Sequence, residues 1–223
     1  MPDLKPALLY KDDNILVIDK PAGLPVHAGS GGGANLEDFF PELQFDAKQP
    51  PHLAHRLDRD TSGCLILGRT KQALRILGKM FEQKRIHKHY WAIVEGVPAD
   101  KHGCVDLPLA KITAQKHRWH MQVDENGQSA VTHYRVMGSR DNLTWLELAP
   151  KTGRTHQLRV HCKAMGWPIV GDVFYGDPND TRPLMLHARA LRIPYPGLTE
   201  ALTIEAPPPA PFEELLQIIR KKA

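Results

Sequence analysis

The stretch AHRLDRDTSG (54–63) runs without a break into CLILGRT (64–70). Arg56, Asp58, Arg59 and Asp60 crowd opposed charges into five positions, with apolar Leu57 among them. Thr61-Ser62-Gly63 has the composition of a bend, and the apolar run after it reads as a buried strand. A charged turn that enters a buried strand sits at the rim of a core. In an extended chain Arg56, Asp58 and Asp60 face one way, and His55, Leu57 and Arg59 the other. That alternation presents a carboxylate to a cleft with a basic side chain beside it. A turn made only of solvated ion pairs would add little stability.

Outward from this stretch, ILVI (15–18) is a second buried strand, stopped by Pro21-Ala22-Gly23. KQALRILGKMFEQ (71–83) has helical spacing, with Leu74, Leu77 and Phe81 as its apolar stripe and Lys71, Arg75 and Lys79 on a different face. HYWAIVEGV (89–97) reads as a strand with Tyr90, Ala92 and Val94 on one side. SAVTHYRVM (129–137) and LTWLELAP (143–150) read as a hairpin turning around GSRDN. THQLRVHCKAMG (155–166) reads as a helix with Thr155 as N-cap and Gly166 at its end. On it Arg159 lies at i±4 spacing from Thr155 and Lys163, on a basic face that is either solvated or part of a site, while Leu158, Cys162 and Met165 turn inward. LMLHARALRI (184–193) is a strand, PPPAP (207–211) an extended arm, and FEELLQIIRKK (212–222) a terminal helix. Strands that follow one another, rather than alternating strictly with helices, predict an α+β fold with a mostly antiparallel sheet.

The 223 residues suffice for a real core, and 42% hydrophobic with 24% charged residues is a globular composition. A net charge of +4 permits a polyanionic partner without demanding one. Its distribution says more: Arg69, Lys71, Arg75, Lys79, Lys84, Arg85 and Lys88 face a single acid, Glu82, and KHRWH (116–120) adds a second basic run. Three cysteines without a CxxC pair argue against a disulfide framework and suit a reducing cytoplasm. The first residues lack the apolar core of a signal peptide, and no apolar run approaches the length needed to span a membrane. Twelve histidines form no HExxH or other ligand pattern, so no metal is assigned. The glycine loop 29–33 lacks the GK[ST] of a phosphate-binding loop. DRDTS (58–62) nearly matches an aspartyl phosphoryl-transfer loop, but Ser62 stands at its fifth position and no buried strand precedes it.

HRLDRDTSGCLILGRT (55–70), KHYWAIVEG (88–96) and TGRTHQLRVH (152–161) lie in the order and form of three motifs of the RluA family of pseudouridine synthases, which this chain resembles. DDNILVIDKPAGLPVH (12–27), PIVGDVFYG (168–176) and LMLHARALRI add weaker similarity, so that the likeness spans nearly the whole chain. The resemblance implies the pseudouridine synthase fold, a central sheet flanked by helices and loops with an active-site cleft. It implies one catalytic domain over 1–223, without the S4 RNA-binding module that some relatives carry, similar to the shorter rRNA- and tRNA-modifying members.

By that resemblance Asp58 is the catalytic carboxylate and Arg159 the guanidinium that keeps it ionised, while Tyr90 lies against the uracil. Arg56 fills the space left by a displaced base, and His55, Arg154 and Leu158 join it as substrate-binding candidates. Lys71, Arg75, Lys79, Lys84, Arg85 and Lys88 are candidates for RNA phosphate contacts. The reaction isomerises uridine within rRNA or tRNA and needs no cofactor. The expected protein is a cytoplasmic monomer. Two other readings compete: a non-catalytic RNA-binding or ribosome-assembly protein of the same fold, and an aspartate-dependent phosphohydrolase using DRDTS.

Overall fold

The computed structural model describes residues 4–28, 32–114, 118–195 and 200–221, with the side chains of 114, 118 and 119 left aside. Gly29, Ser30 and Gly31 of the glycine loop, and Lys116 and His117 of the second basic run, lie outside the described residues. In chain order the strands and helices are β1 (Ala7–Lys11), β2 (Ile15–Lys20), β3 (His52–Leu53), β4 (Ser62–Gly68), α1 (Lys71–Glu82), β5 (His87–Glu95), β6 (His102–Asp106), β7 (Leu109–Ala114), β8 (Arg118–Val123), β9 (Val131–Arg140), β10 (Leu143–Pro150), α2 (Gln157–Ala164), β11 (Leu186–Ile193), β12 (Leu202–Glu205) and α3 (Ala210–Arg220). The α+β reading holds, with mostly antiparallel pairing. One parallel pair, β4 with β11, makes the sheet mixed. The chain forms two compact units, Met1–Lys88 with His187–Pro208, and His89–Leu186 with Pro209–Ala223.

In the first unit β2 pairs antiparallel with β1 and, along its whole length, with β4. β2 thus takes one edge of β4, and the other edge is shared by β3 at Leu67–Gly68 and by β11 at Ser62–Gly63. Ile15 to Ile18 and Cys64 to Leu67 are buried on both faces, which is why both strands read as unbroken apolar runs. α1 starts where Thr70 Oγ1 accepts the backbone N–H of Ala73 at 3.0 Å. Its buried residues are Ala73, Leu77 and Met80. The expected stripe is therefore rotated, with Leu74 and Phe81 at its half-buried margin. Gly68 lies close against Leu74, where a Cβ would stand 3.2 Å away.

In the second unit β6, β9, β10 and β5 lie side by side, each pair antiparallel. The β9–β10 hairpin is tighter than the sequence suggested: the strands continue to Arg140 and from Leu143, and only Asp141 and Asn142 turn, at φ 49° and 64°. Two left-handed residues match the twist of the flanking strands, a geometry that Asn and Asp tolerate. α3 packs on this sheet, where the Arg220 guanidinium lies 4.7 Å from the Trp145 ring centroid. The PPPAP arm is shorter than expected, since Ala210 and Pro211 already form the first turn of α3. Proline is at home there because its missing N–H would have no helical partner. The β7–β8 hairpin stands apart and shares a small core with α2, made of Leu109, Met121, Ala130, Val160 and Tyr175.

Candidate active site

The charged turn that opened the sequence is held from several directions within the first unit. Leu57 is buried and faces inward, while Arg56 is exposed and Asp58 half-buried. The extended alternation expected through Asp60 stops at Asp58, because the Thr61 N–H closes a turn onto the Asp58 carbonyl at 3.2 Å. Arg59 and Asp60 form that turn and are exposed. Upstream, His55 Nε2 accepts the N–H of Ile66 at 3.1 Å, and its ring packs 4.8 Å from that of Phe81. Burial pushes the His55 pKa down to about 3, and the Lys88 charge pushes the same way, so the imidazole is neutral and acts as an acceptor. Of the six basic residues assigned to phosphates, five are exposed. Lys88 is half-buried, and burial lowers its pKa.

Two anchors of this turn were not legible as such in the sequence. Lys20, at the end of β2, is fully buried, and its Nζ donates to the carbonyls of Pro21, Leu24 and Arg59 at 2.7, 2.9 and 2.9 Å. One ammonium thereby ties the exit of β2 to the turn after Asp58. Burial pushes its pKa down to about 7, with Asp60, Asp58 and Asp19 pulling the other way. The only signal in the sequence is a lysine closing an apolar strand just before Pro-Ala-Gly. Gly23 adds a reciprocal pair with Arg59: its N–H donates to the Arg59 carbonyl at 3.0 Å, and Arg59 Nε donates to its carbonyl at 3.1 Å.

The second anchor is His187 on β11. A carbonyl can only accept, so the bond from Nε2 to Ala206 O at 3.2 Å puts the proton on Nε2. Nδ1 then accepts from Ser62 Oγ at 2.9 Å. Beside it Gly63 sits at φ 107°, where a Cβ would fall 2.3 Å from the Ala188 carbonyl oxygen. Glycine is thus required where β4 starts against β11.

Burial pushes the His187 pKa down to about 4. The folded state binds the neutral ring, whereas the unfolded chain takes up a proton below about 6.5, so stability drains as pH falls from that value towards 4. We expect the His187 contribution to fall by roughly 2 kcal/mol between pH 7 and pH 5. Urea titrations at the two pH values should show a smaller loss for His187→Gln than for the parent protein. An equal loss would mean that His187 is not the titrating group.

In the second unit the third motif departs from its sequence reading. α2 begins at Gln157, not Thr155, and His156 before it is left-handed at φ 53°. The cause is Gln157, which is buried. Its Oε1 accepts from Thr152 Oγ1 and from the Arg154 N–H, and its Nε2 donates to Val131 O and Thr132 Oγ1. These four bonds hold 152–156 as a loop. Arg154 is exposed and its Nε donates to Ser129 O at 3.1 Å. Leu158 is buried, as expected, whereas Met165 is exposed.

Of the two readings open for the Arg159 face, the solvated one fails. Arg159 is 5% exposed and forms a two-pronged pair with Asp172, Nε to Oδ2 and Nη2 to Oδ1, both at 2.7 Å. Asp172 is also buried, and the sequence did not single it out. Tyr90 lies on β5 opposite Leu148, buried on the same side as Ala92 and Val94, as the alternation required.

Among the described residues, no group of three or more His, Cys, Asp or Glu is placed to hold a metal ion. No helix among them is long and apolar enough to cross a membrane. All three cysteines are free thiols.

Residues 14–164 match the family model described as RNA pseudouridylate synthase. An uncharacterized RNA pseudouridine synthase of Zymomonas mobilis is 45% identical over 219 residues, covering 96% of this chain and 99% of that protein. The ribosomal large subunit pseudouridine synthase C of Escherichia coli is 37% identical over 227 residues, covering 97% of this chain and 71% of that one. Among solved structures, human RNA pseudouridylate synthase domain containing 4 superposes with a TM-score of 0.81 at 31% identity, covering 97% of this chain and 94% of that chain. With the RluA-type motifs in order along the chain, these likenesses decide among the three competing readings: the chain belongs to the RNA pseudouridylate synthase family, in its RluA group, and is an isomerase acting on RNA.

Proposed function

We propose that the protein isomerises specific uridines of ribosomal RNA, with Asp58 as the catalytic carboxylate. The observation that carries this is the mounting of Asp58: a half-buried carboxylate whose turn is tied down by Lys20, Gly23, His55 and the Ser62–His187 bond. Such restraint is what a group needs if it is to meet a reacting atom without reorganising. The ribosomal target is supported by relatives named for the large subunit, among them those of Escherichia coli and Nitrosomonas europaea.

In the reaction the N1–C1′ bond breaks and the uracil turns while bound. C5 then bonds to C1′, C5 loses its proton and N1 gains one. No electron or group is supplied from outside. Positive charge develops at the ribose, as in glycoside cleavage, and a carboxylate stabilises or traps it. Asp58 fills that role by attacking C1′, by adding to the base, or by taking a ribose proton. Arg159 belongs to the same catalytic set by the family pattern, a guanidinium held in place by its two-pronged bond to Asp172. Tyr90 lies against the uracil and assists loss of the C5 proton. Arg56, exposed beside Asp58, fills the space left as the base swings out, a step costing about a few kcal/mol. His55 sets the turn, Leu158 and Arg154 border the substrate, and the exposed lysines and arginines of 71–85 take RNA phosphates. Residues 1–223 act together as one catalytic domain, a monomer in the cytoplasm, the compartment that three free thiols suit.

A pseudouridine map of total RNA from cells with and without the gene tests this. Loss of signal at one or a few ribosomal sites is the expected result. Loss confined to transfer RNA would overturn the ribosomal target, and no loss at any site would overturn the function.

A further inference from the structure

Phe174 is the most exposed large apolar side chain among the described residues, at 69%. It does not sit on a loose loop. The N–H groups of Phe174 and Tyr175 both donate to Asp172 Oδ1 at 3.1 Å, and the Gly176 N–H donates to the Asp172 carbonyl at 2.7 Å. The same carboxylate grips Arg159, whose guanidinium carbon lies 5.5 Å from the Phe174 ring centroid and 5.2 Å from that of Tyr175. The Tyr175 hydroxyl accepts the Met121 N–H at 3.1 Å and bonds His156 Nδ1 at 2.9 Å, fastening the turn to β8 and to the start of α2. A flat apolar ring is therefore held open to solvent on a rigid base, with a cation stacked against it.

Fixing an apolar ring in water gains nothing for the fold. A rigid aromatic face backed by a guanidinium is the arrangement on which a nucleobase stacks. Every base has a π face, and the cation strengthens the stack. We propose that Phe174 is a stacking platform for an unpaired base of the RNA strand flanking the isomerised uridine. This rests on the RNA-isomerase function above. It adds a specificity-determining contact outside the residues assigned to the chemistry.

The test uses [5-³H]uridine-labelled RNA from cells lacking the gene, with tritium release reporting turnover and filter retention reporting binding. Phe174→Leu keeps apolar bulk over Arg159 but removes the π face. We expect it to need about 5- to 100-fold more RNA for half-maximal rate, with kcat changed less than about twofold. Phe174→Tyr and Phe174→Trp should restore wild-type half-saturation. If Phe174→Leu binds and turns over RNA like wild type, no base stacks there, and an apolar protein contact becomes the better account of the exposed ring. If kcat falls while half-saturation is unchanged, Phe174 is only a cover for Arg159, and the proposal is again overturned. Failure of the underlying function looks different, because wild-type protein would then release no tritium.

Discussion

Asp58→Asn should yield a protein that folds, binds RNA and forms pseudouridine about 10³-fold or more slowly than wild type. The change is nearly isosteric and removes only the charge. The bonds at the two ends of the turn run through main-chain atoms and survive the change: the Asp58 carbonyl accepts from Thr61, and the Arg59 carbonyl accepts from Lys20 and Gly23. An amide cannot stabilise positive charge at C1′, nor serve as nucleophile or base at the ribose. Single-turnover tritium release, with circular dichroism and RNA binding as controls, reads the result. Asp60→Asn, two residues on and exposed, is the matched comparison and should stay near wild type. Turnover by Asp58→Asn within tenfold of wild type would remove Asp58 from the chemistry.

Asp172→Ala should destabilise the protein by about 3–5 kcal/mol, the range for breaking one side of a buried ion pair. The substitution removes the two-pronged partner of the Arg159 guanidinium, which is 5% exposed, and it leaves the N–H groups of Phe174 and Tyr175 without their acceptor. Urea denaturation should show a lower midpoint with an unchanged slope. Adding Arg159→Met should recover part of the loss, since it withdraws a buried charge that has lost its two-pronged pair, while activity stays lost because the guanidinium is gone. If Asp172→Ala costs less than about 1 kcal/mol, Arg159 reaches water in solution and the buried pair does not support the motif.

The contrast between Asp58 and Asp172 shows what each level of description reached. Local crowding marked the turn, with charges packed into five positions ahead of a buried strand, and the family resemblance picked Asp58 from it. Asp172 carried no such mark, because its meaning lies in the partner it meets thirteen residues back in the chain across a turn. Lys20 is similar. A lysine at a strand end normally faces water, and only three converging carbonyls explain why this one does not.

Periodicity and turn chemistry by themselves determined the succession of strands and helices, the α+β class, the Asp141–Asn142 hairpin to within a few residues, and the burial of Tyr90. These are local properties, set by neighbours within one turn of helix or two residues of strand. Only the tertiary structure decided where α2 starts, which stripe of α1 is buried, and which way Arg159 faces. At the first and last of these places a long-range contact overrides or completes the local signal: the four bonds of Gln157 replace a threonine cap, and a buried carboxylate takes an arginine whose facing helical spacing alone left open.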